Sequence, residues 1–226
     1  MKYDNIYEGR FISRPNRFIA HVEINGTTQV CHVKNTGRCK ELLLPETTVY
    51  VQFCDLVTRK TKWDLIAVKK KDSIVNIDSA APNKAVGEWL NDGGLGFTPD
   101  YIKAEYTYGD SRYDFYLEHK NEKWLIEVKG VTLEEDGVAM FPDAPTERGM
   151  KHLNGLAAHT KEGFHTAAIF VIQMDQIHSF TANAKIHPEF ATALKNAQLA
   201  GVSILAYDCL VTKDRLMIQH AVPVKL

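Results

Sequence analysis

The sequence predicts a two-domain α/β protein: a small N-terminal β-barrel over residues 1–80, then a mixed α/β domain with a central mixed sheet over residues 81–226. Three observations carry this. Five short β-type runs fill the first 80 residues, too brief for helices. The small-residue stretch Ser79-Ala80-Ala81-Pro82-Asn83 ends in a helix breaker and opens onto alternating helix and strand patterns. Charge changes sign at the same place: 13 Lys and Arg stand against 9 Asp and Glu before residue 81, and 14 against 19 after it, so the parts carry +4 and −5.

In the first part, strands are expected at residues 6–13, 17–24, 27–33, 48–56 and 62–69. Asn25-Gly26 separates the second from the third and is a strong type I′ hairpin signal, because both central residues of that turn need positive φ. Five such strands suit a small barrel, an oligonucleotide-binding (OB) barrel being one option. In the second part, a helix over 84–90 ends at Asn91-Asp92-Gly93-Gly94, and strands follow at 101–109, 112–118 and 123–132. A polar loop leads to a helix over 146–160, whose Met150, Leu153, Ala157 and Thr160 recur at helical spacing and are expected to face the core. An apolar strand at 166–174 precedes a helix over 188–200 that starts with Pro188, buries Phe190, Leu194 and Ala197, and stops at Gly201. Strands at 203–211 and 215–222 close the chain.

Composition excludes several classes. With 226 residues, 45% hydrophobic and 24% charged, the chain lies in the ordinary globular range, away from disordered, collagen-like and coiled-coil compositions. No apolar run approaches the roughly 20 residues of a membrane helix, and the polar start with Lys2, Asp4, Glu8 and Arg10 is not a signal peptide. A cytoplasmic protein without a membrane partner is expected. Cys31, Cys39, Cys54 and Cys209 fit no zinc spacing and read as reduced, mostly buried thiols. A net charge of −1 taken whole argues against nucleic acid, but the basic first part removes that objection.

Chemistry concentrates between Arg112 and Lys129. A hairpin turning at Lys120-Asn121 sets residue 119 opposite 122 and therefore Asp114 opposite Glu127. Alternation then puts Tyr113, Phe115, Leu117, Trp124, Ile126 and Val128 on one apolar face, with Asp114, Glu127 and Lys129 on the other. Two carboxylates facing across a ladder, with β-carbons about 5 Å apart, repel unless a positive charge sits between them. A hard divalent cation supplies that charge and keeps water positions free for a phosphate oxygen. Lys129 is then placed to position the attacking water or the scissile phosphate, as metal-assisted phosphodiester hydrolysis requires. A solvated hairpin face bearing ordinary surface charges fits the same residues equally well.

The hairpin resembles the Asp…Glu-x-Lys core of the PD-(D/E)xK nuclease superfamily. More closely, the segments His32 to Leu43, Glu127 to Leu133 and Phe141 to Leu153 are similar to the sugar fermentation stimulation protein A (SfsA) family, and the likeness spans nearly the whole chain. The resemblance implies an OB-like domain followed by a PD-(D/E)xK nuclease-like domain. It also implies DNA binding and a link to the regulation of sugar use, such as maltose. One departure is that Tyr113, not Pro, precedes Asp114. Pro99-Asp100 lies before the preceding strand, where no simple register brings it opposite Glu127, and Pro142-Asp143 follows the lysine, so Asp114 is preferred.

Asp114 and Glu127 are thus the expected ligands of a Mg²⁺ or Mn²⁺ ion, with the Val128 carbonyl completing the site. Glu88 and Glu105 are candidates for a third carboxylate, against the plainer reading of solvent-facing charges. Arg148, Lys151 and His152 stand at i, i+3 and i+4 on the helix after the hairpin, opposite its apolar stripe, and suit phosphate contacts. Glu134-Glu135-Asp136 is read as a loop, since three consecutive acids on a strand do not face one ion. In the barrel, Arg14, Arg17, Lys34, Arg38 and Lys40 are interleaved with Phe11, Phe18 and His32, the mixture with which OB barrels bind single strands. Lys34, Arg38 and Lys40 are the preferred nucleic-acid contacts, while Phe11 and Phe18 are expected in the core. A turn-like segment at 197–203 resembles a helix-turn-helix, but the apolar, β-branched run after it lacks a basic face for the groove. Two further readings stand beside the nuclease: a DNA-binding regulator that never cleaves, and an RNA-processing factor. A homodimer is compatible with the sequence, which leaves the oligomeric state open.

Overall fold

The computed structural model describes residues 1–35, 37–55 and 57–226. The first part forms β1 (Ile6–Asn16), β2 (Ile19–Ile24), β3 (Thr27–Val33), β4 (Thr48–Phe53), β5 (Trp63–Lys70) and β6 (Ser73–Asn76). Strands β3, β2, β1, β4 and β5 are neighbours in that order, and a parallel β3–β5 pairing closes them into a five-stranded barrel, with β6 extending the sheet beyond β5. The expected hairpin is present: Ile24 pairs with Thr27, and Asn25 and Gly26 have φ of 50° and 75°. Of the fourth expected strand, which reached to 56, Leu56 lies outside the described residues.

The barrel interior is filled by Phe11, Ala20, Val22, Val33, Val49, Val51, Leu65 and Val68. Strand β5 departs from simple alternation because its other face is also covered. Ile66 and Ala67, with Tyr50 of β4, pack against Ala81, Ala85 and Val86 of α1 (Ala81–Asn91). Helix α1 begins three residues earlier than the sequence suggests, because Pro82 occupies its first turn, where a missing N–H costs nothing.

The second part holds β7 (Tyr101–Tyr108), β8 (Ser111–His119), β9 (Glu122–Val131), β10 (Leu133–Glu135), β11 (Val138–Phe141), α2 (Glu147–Thr160), β12 (His165–Ile172), β13 (Ser179–Ala182), α3 (Pro188–Leu199), β14 (Ser203–Thr212), β15 (Arg215–Ala221) and β16 (Val224–Lys225). Its main sheet runs β15-β14-β12-β9-β8-β7, with β12 parallel to both neighbours and the outer pairs antiparallel, the mixed sheet that was expected. Helix α1 covers one face through Phe115, Leu117, Ile126 and Val128, and α2 and α3 cover the other through Tyr113, Leu125, Phe170, Leu153 and Phe190.

Two expectations are corrected here. The polar loop before α2 contains β10 and β11, which join β13 and β16 in a small second sheet. These strands are three and four residues long, too short to leave a periodic signature. The buried stripe of α2 is Gly149, His152, Leu153 and Leu156, with Met150 and Ala157 only partly covered. The helix lies against Tyr113 of β8 as well as against α3, which rotates its inner face.

A buried polar network joins the two parts. Lys34 Nζ lies 2.7 Å from Asp78 and 3.6 Å from Asp64, which Arg59 also binds at 3.1 Å. Tyr3 donates to Asp78 at 3.1 Å, and the Gln173 amide donates to Asn76 at 2.9 Å. Lys34 was expected to contact nucleic acid, but its charge is already compensated inside the protein. Burial pushes the Asp64 carboxyl up, yet the Arg59 hydrogen bond and the charges of Lys34 and Arg59 outweigh this and hold it below the ordinary value of 3.8. A depressed folded value stabilises the fold above the unfolded pKa and is lost as pH falls through the folded one. Asp64→Asn should therefore lower stability at neutral pH, where it takes the carboxylate partner from Arg59, and flatten the decline below about pH 4. Urea unfolding at pH 7 and under acid reads both effects.

Candidate metal and phosphate site

The β8–β9 hairpin has the expected register, from His119 opposite Glu122 at the tip to Phe115 opposite Ile126. One step further, at Asp114, the ladder gives way. The Asp114 carboxylate takes the ladder's place, accepting from the Val128 N–H at 2.7 Å and from the Asn83 amide of α1 at 2.6 Å. Alternation breaks here too: Tyr113 lies against Gly155 and His152 of α2, whereas Phe115 lies beside Gly87 of α1. The expected shared face for Tyr113 and Phe115 is therefore corrected. Across the hairpin, Glu105 of β7 has a φ of 55°, an irregularity that accompanies the break.

Glu127 is 3% exposed. Its Oε1 is bound by Lys129 Nζ and His152 Nδ1, while Oε2 is buried without a partner. His152 reaches it because α2 starts close by, capped by the Thr146 side chain accepting from the Gly149 N–H at 3.0 Å. The Arg148 Nε lies 3.5 Å from His152 Nε2, an arrangement in which Nδ1 donates to Glu127. Burial, together with the Glu127 charge, holds the Asp114 carboxyl above the usual range, against the Val128 N–H and Asn83. Burial also pushes Glu127 up, but His152 and Lys129 prevail and its carboxyl lies low. Neighbouring carboxylates with opposed shifts are typical of a functional centre.

The structure brings together Asp114, Glu127, Val128, Lys129 and His152, with Arg148 reaching them through His152. Lys151 is drawn away to the Asp110 carbonyl at 2.9 Å. Neither candidate third carboxylate makes a hydrogen bond or ion pair with these groups. Glu88 is 60% exposed and pairs with the Met1 amino group at 2.6 Å, and Glu105 is 54% exposed and pairs with Arg112 at 3.0 Å. Both carboxylates are exposed. Asn83 was not anticipated. Its only sequence signal is a place in the first turn of a helix next to the domain boundary.

On the barrel, Arg17, Arg38 and Lys40 line a cleft of about 630 Å³ whose other walls include Phe11, Leu43 and Pro45. Gly37 borders this cleft and also a polar cavity of about 150 Å³ lined by Gly130, Thr132 and Asp143. A β-carbon at Gly37 would stand 2.5 Å from the Asp143 carboxylate, so the barrel loop lies close against the second domain here. Gly130, in the wall of the polar cavity, directly follows Lys129 in β9. The loop also contains Thr36, which lies outside the described residues.

Two family models match the chain, an SfsA N-terminal OB domain over residues 12–77 and a sugar fermentation stimulation protein RE domain over residues 80–215. The chain belongs to the SfsA family. The five-stranded barrel is accordingly an OB domain. Among SfsA relatives, sugar fermentation stimulation protein homologues of Desulfitobacterium hafniense and Ruminiclostridium cellulolyticum are each 54% identical over 226 residues, covering all of this chain and 99% and 100% of their own. A solved Pyrococcus furiosus SfsA, in complex with Ca²⁺, superposes with a TM-score of 0.90 at 26% identity, covering 100% of this chain and 98% of that one. Among the described residues, no helix is long and apolar enough to cross a membrane.

Proposed function

We propose that this SfsA-family protein binds DNA and hydrolyses phosphodiester bonds at a PD-(D/E)xK-like, divalent-metal-dependent site built on Asp114, Glu127 and Lys129. The observation that carries the reading is the orphaned Oε2 of Glu127, a buried anionic oxygen beside a second carboxylate. Leaving such an oxygen unpaired is costly, and a cation is its natural complement. Asp114 retains acceptor capacity, since each carboxylate oxygen carries two lone pairs. Among the described residues no set of three or more His, Cys, Asp or Glu donors is gathered for an ion. Two carboxylates with water and phosphate in the remaining positions suit Mg²⁺ or Mn²⁺, and the P. furiosus relative was solved with another hard divalent cation.

Such an ion, when bound, polarises a phosphoryl oxygen and lowers the pKa of a coordinated water. The chain's own groups do the rest. The Asn83 amide and Val128 N–H fix the Asp114 carboxylate, and His152 fixes the Glu127 carboxylate. Lys129 Nζ shares Glu127 Oε1, from where it is placed to orient the attacking water or stabilise the phosphate. Arg148 supplies a further cation at the rim. A role in regulating sugar use, as the relatives' name indicates, belongs with DNA binding.

The second reading, a DNA-binding regulator that does not cleave, is favoured by the same Glu127. Lys129 already gives its Oε1 a charge partner, and His152 a hydrogen bond, without any ion. Calorimetric titration separates the two. Mg²⁺ or Mn²⁺ should bind at one site per chain and lose that binding in Glu127→Gln. Unchanged binding in the variant excludes Glu127 as a ligand.

A further inference from the structure

We infer that the barrel cleft takes a single strand, with Phe18, next to the cleft-lining Asn16 and Arg17 on the β1–β2 turn, as the platform on which one unpaired base stacks. This rests on the nucleic-acid reading above and narrows it from DNA in general to unpaired nucleotides.

Phe11 and Phe18 were both expected in the core. Phe11 is, at 2% exposure, but Phe18 is 51% exposed. Its position is not loose. The Asn16 side-chain oxygen accepts from the Phe18 and Ile19 N–H groups at 2.9 and 3.1 Å, which fixes the turn between β1 and β2. Over the ring, the Arg17 guanidinium carbon lies 5.9 Å from its centroid.

Arg14, which the sequence groups with the other barrel cations, explains how the turn and the basic loop act as one unit. Its guanidinium donates to the carbonyls of Arg17 at 2.8 Å, Asn35 at 2.7 Å, Gly37 at 2.9 Å and Arg38 at 2.7 Å. The Phe18 turn on one rim of the cleft is thereby tied to Arg38 and Lys40 on the other, with Phe11, Ile12, Leu43 and Pro45 between them. A cationic rim binds phosphates of any nucleic acid, but an apolar floor and an exposed aromatic ring find no partner on a duplex, whose base faces are stacked. A single strand offers both phosphates and bare base faces.

The test is fluorescence anisotropy in EDTA, with a short oligo-dT strand and a mixed-sequence duplex of the same length as probes, so that cleavage plays no part. The wild-type protein should prefer the strand by about tenfold or more. Phe18→Ala should weaken strand binding by roughly 5- to 100-fold, as expected for one stacked base, and leave duplex binding unchanged. Phe18→Trp should retain strand affinity, and an unaltered melting temperature in both variants excludes misfolding. Equal affinity for strand and duplex, or a Phe18→Ala protein that binds the strand like wild type, overturns the inference while leaving DNA binding intact. Binding of neither probe overturns the nucleic-acid reading as well.

Discussion

Glu127→Gln is expected to cut metal-dependent phosphodiester cleavage by at least about 10²- to 10³-fold, the usual cost of removing one preorganised charge-stabilising group from an active site. The amide preserves shape and one acceptor oxygen but no longer carries the anion that Lys129, His152 and a cation share. Asp114→Asn should act in the same direction, and it also places an amide against the Val128 N–H, where a carboxylate oxygen now accepts. Lys129→Ala removes the cation nearest Glu127 and should likewise abolish turnover while sparing DNA binding. His152→Ala is expected to have a smaller effect, on the order of 10- to 100-fold, because its role is to hold Glu127 in place. Gel-based cleavage of plasmid and oligonucleotide substrates, with affinity measured in parallel, reads all four variants.

The second large effect concerns salt. Neutralising Arg38 and Lys40 together, as Gln at both positions, should weaken DNA binding across all sequences. It should also reduce the slope of log affinity against log salt by about 0.7–0.9 for each phosphate that the protein no longer neutralises. Lys34→Gln should leave the slope unchanged and lower stability instead, since its ammonium belongs to the Asp78 and Asp64 network. The contrast matters because all three side chains carry the same charge within seven positions of the sequence. An unchanged slope in the Arg38/Lys40 variant excludes the cleft as the phosphate-binding surface.

The longer strands and the site hairpin were legible because their signals are local. Asn25-Gly26 sets one register by turn chemistry, and Lys120-Asn121 sets the other, which is enough to bring the Asp114 segment beside Glu127. What stayed hidden depends on partners distant in the chain. Lys34 looks like a free cation until Asp64 and Asp78 are folded around it. Arg14 looks like a phosphate contact until four carbonyls from two loops converge on its guanidinium. His152 falls opposite the expected apolar stripe of α2, and only the packing of that helix on β8 and β9 turns it inward to Glu127. Phe18 illustrates the opposite failure. An aromatic in a β-rich segment reads as core, and nothing in the sequence says that the β1–β2 turn leaves it in solvent.

The central proposal is tested most directly by a nicking assay on purified full-length protein, with supercoiled plasmid and single-stranded circular DNA, in Mg²⁺, Mn²⁺ or EDTA. Cleavage that requires the metal and disappears in Glu127→Gln is the expected result. Wild-type protein that binds these DNAs yet leaves them intact in every metal would contradict a catalytic site and leave a DNA-binding regulator on a nuclease-like fold.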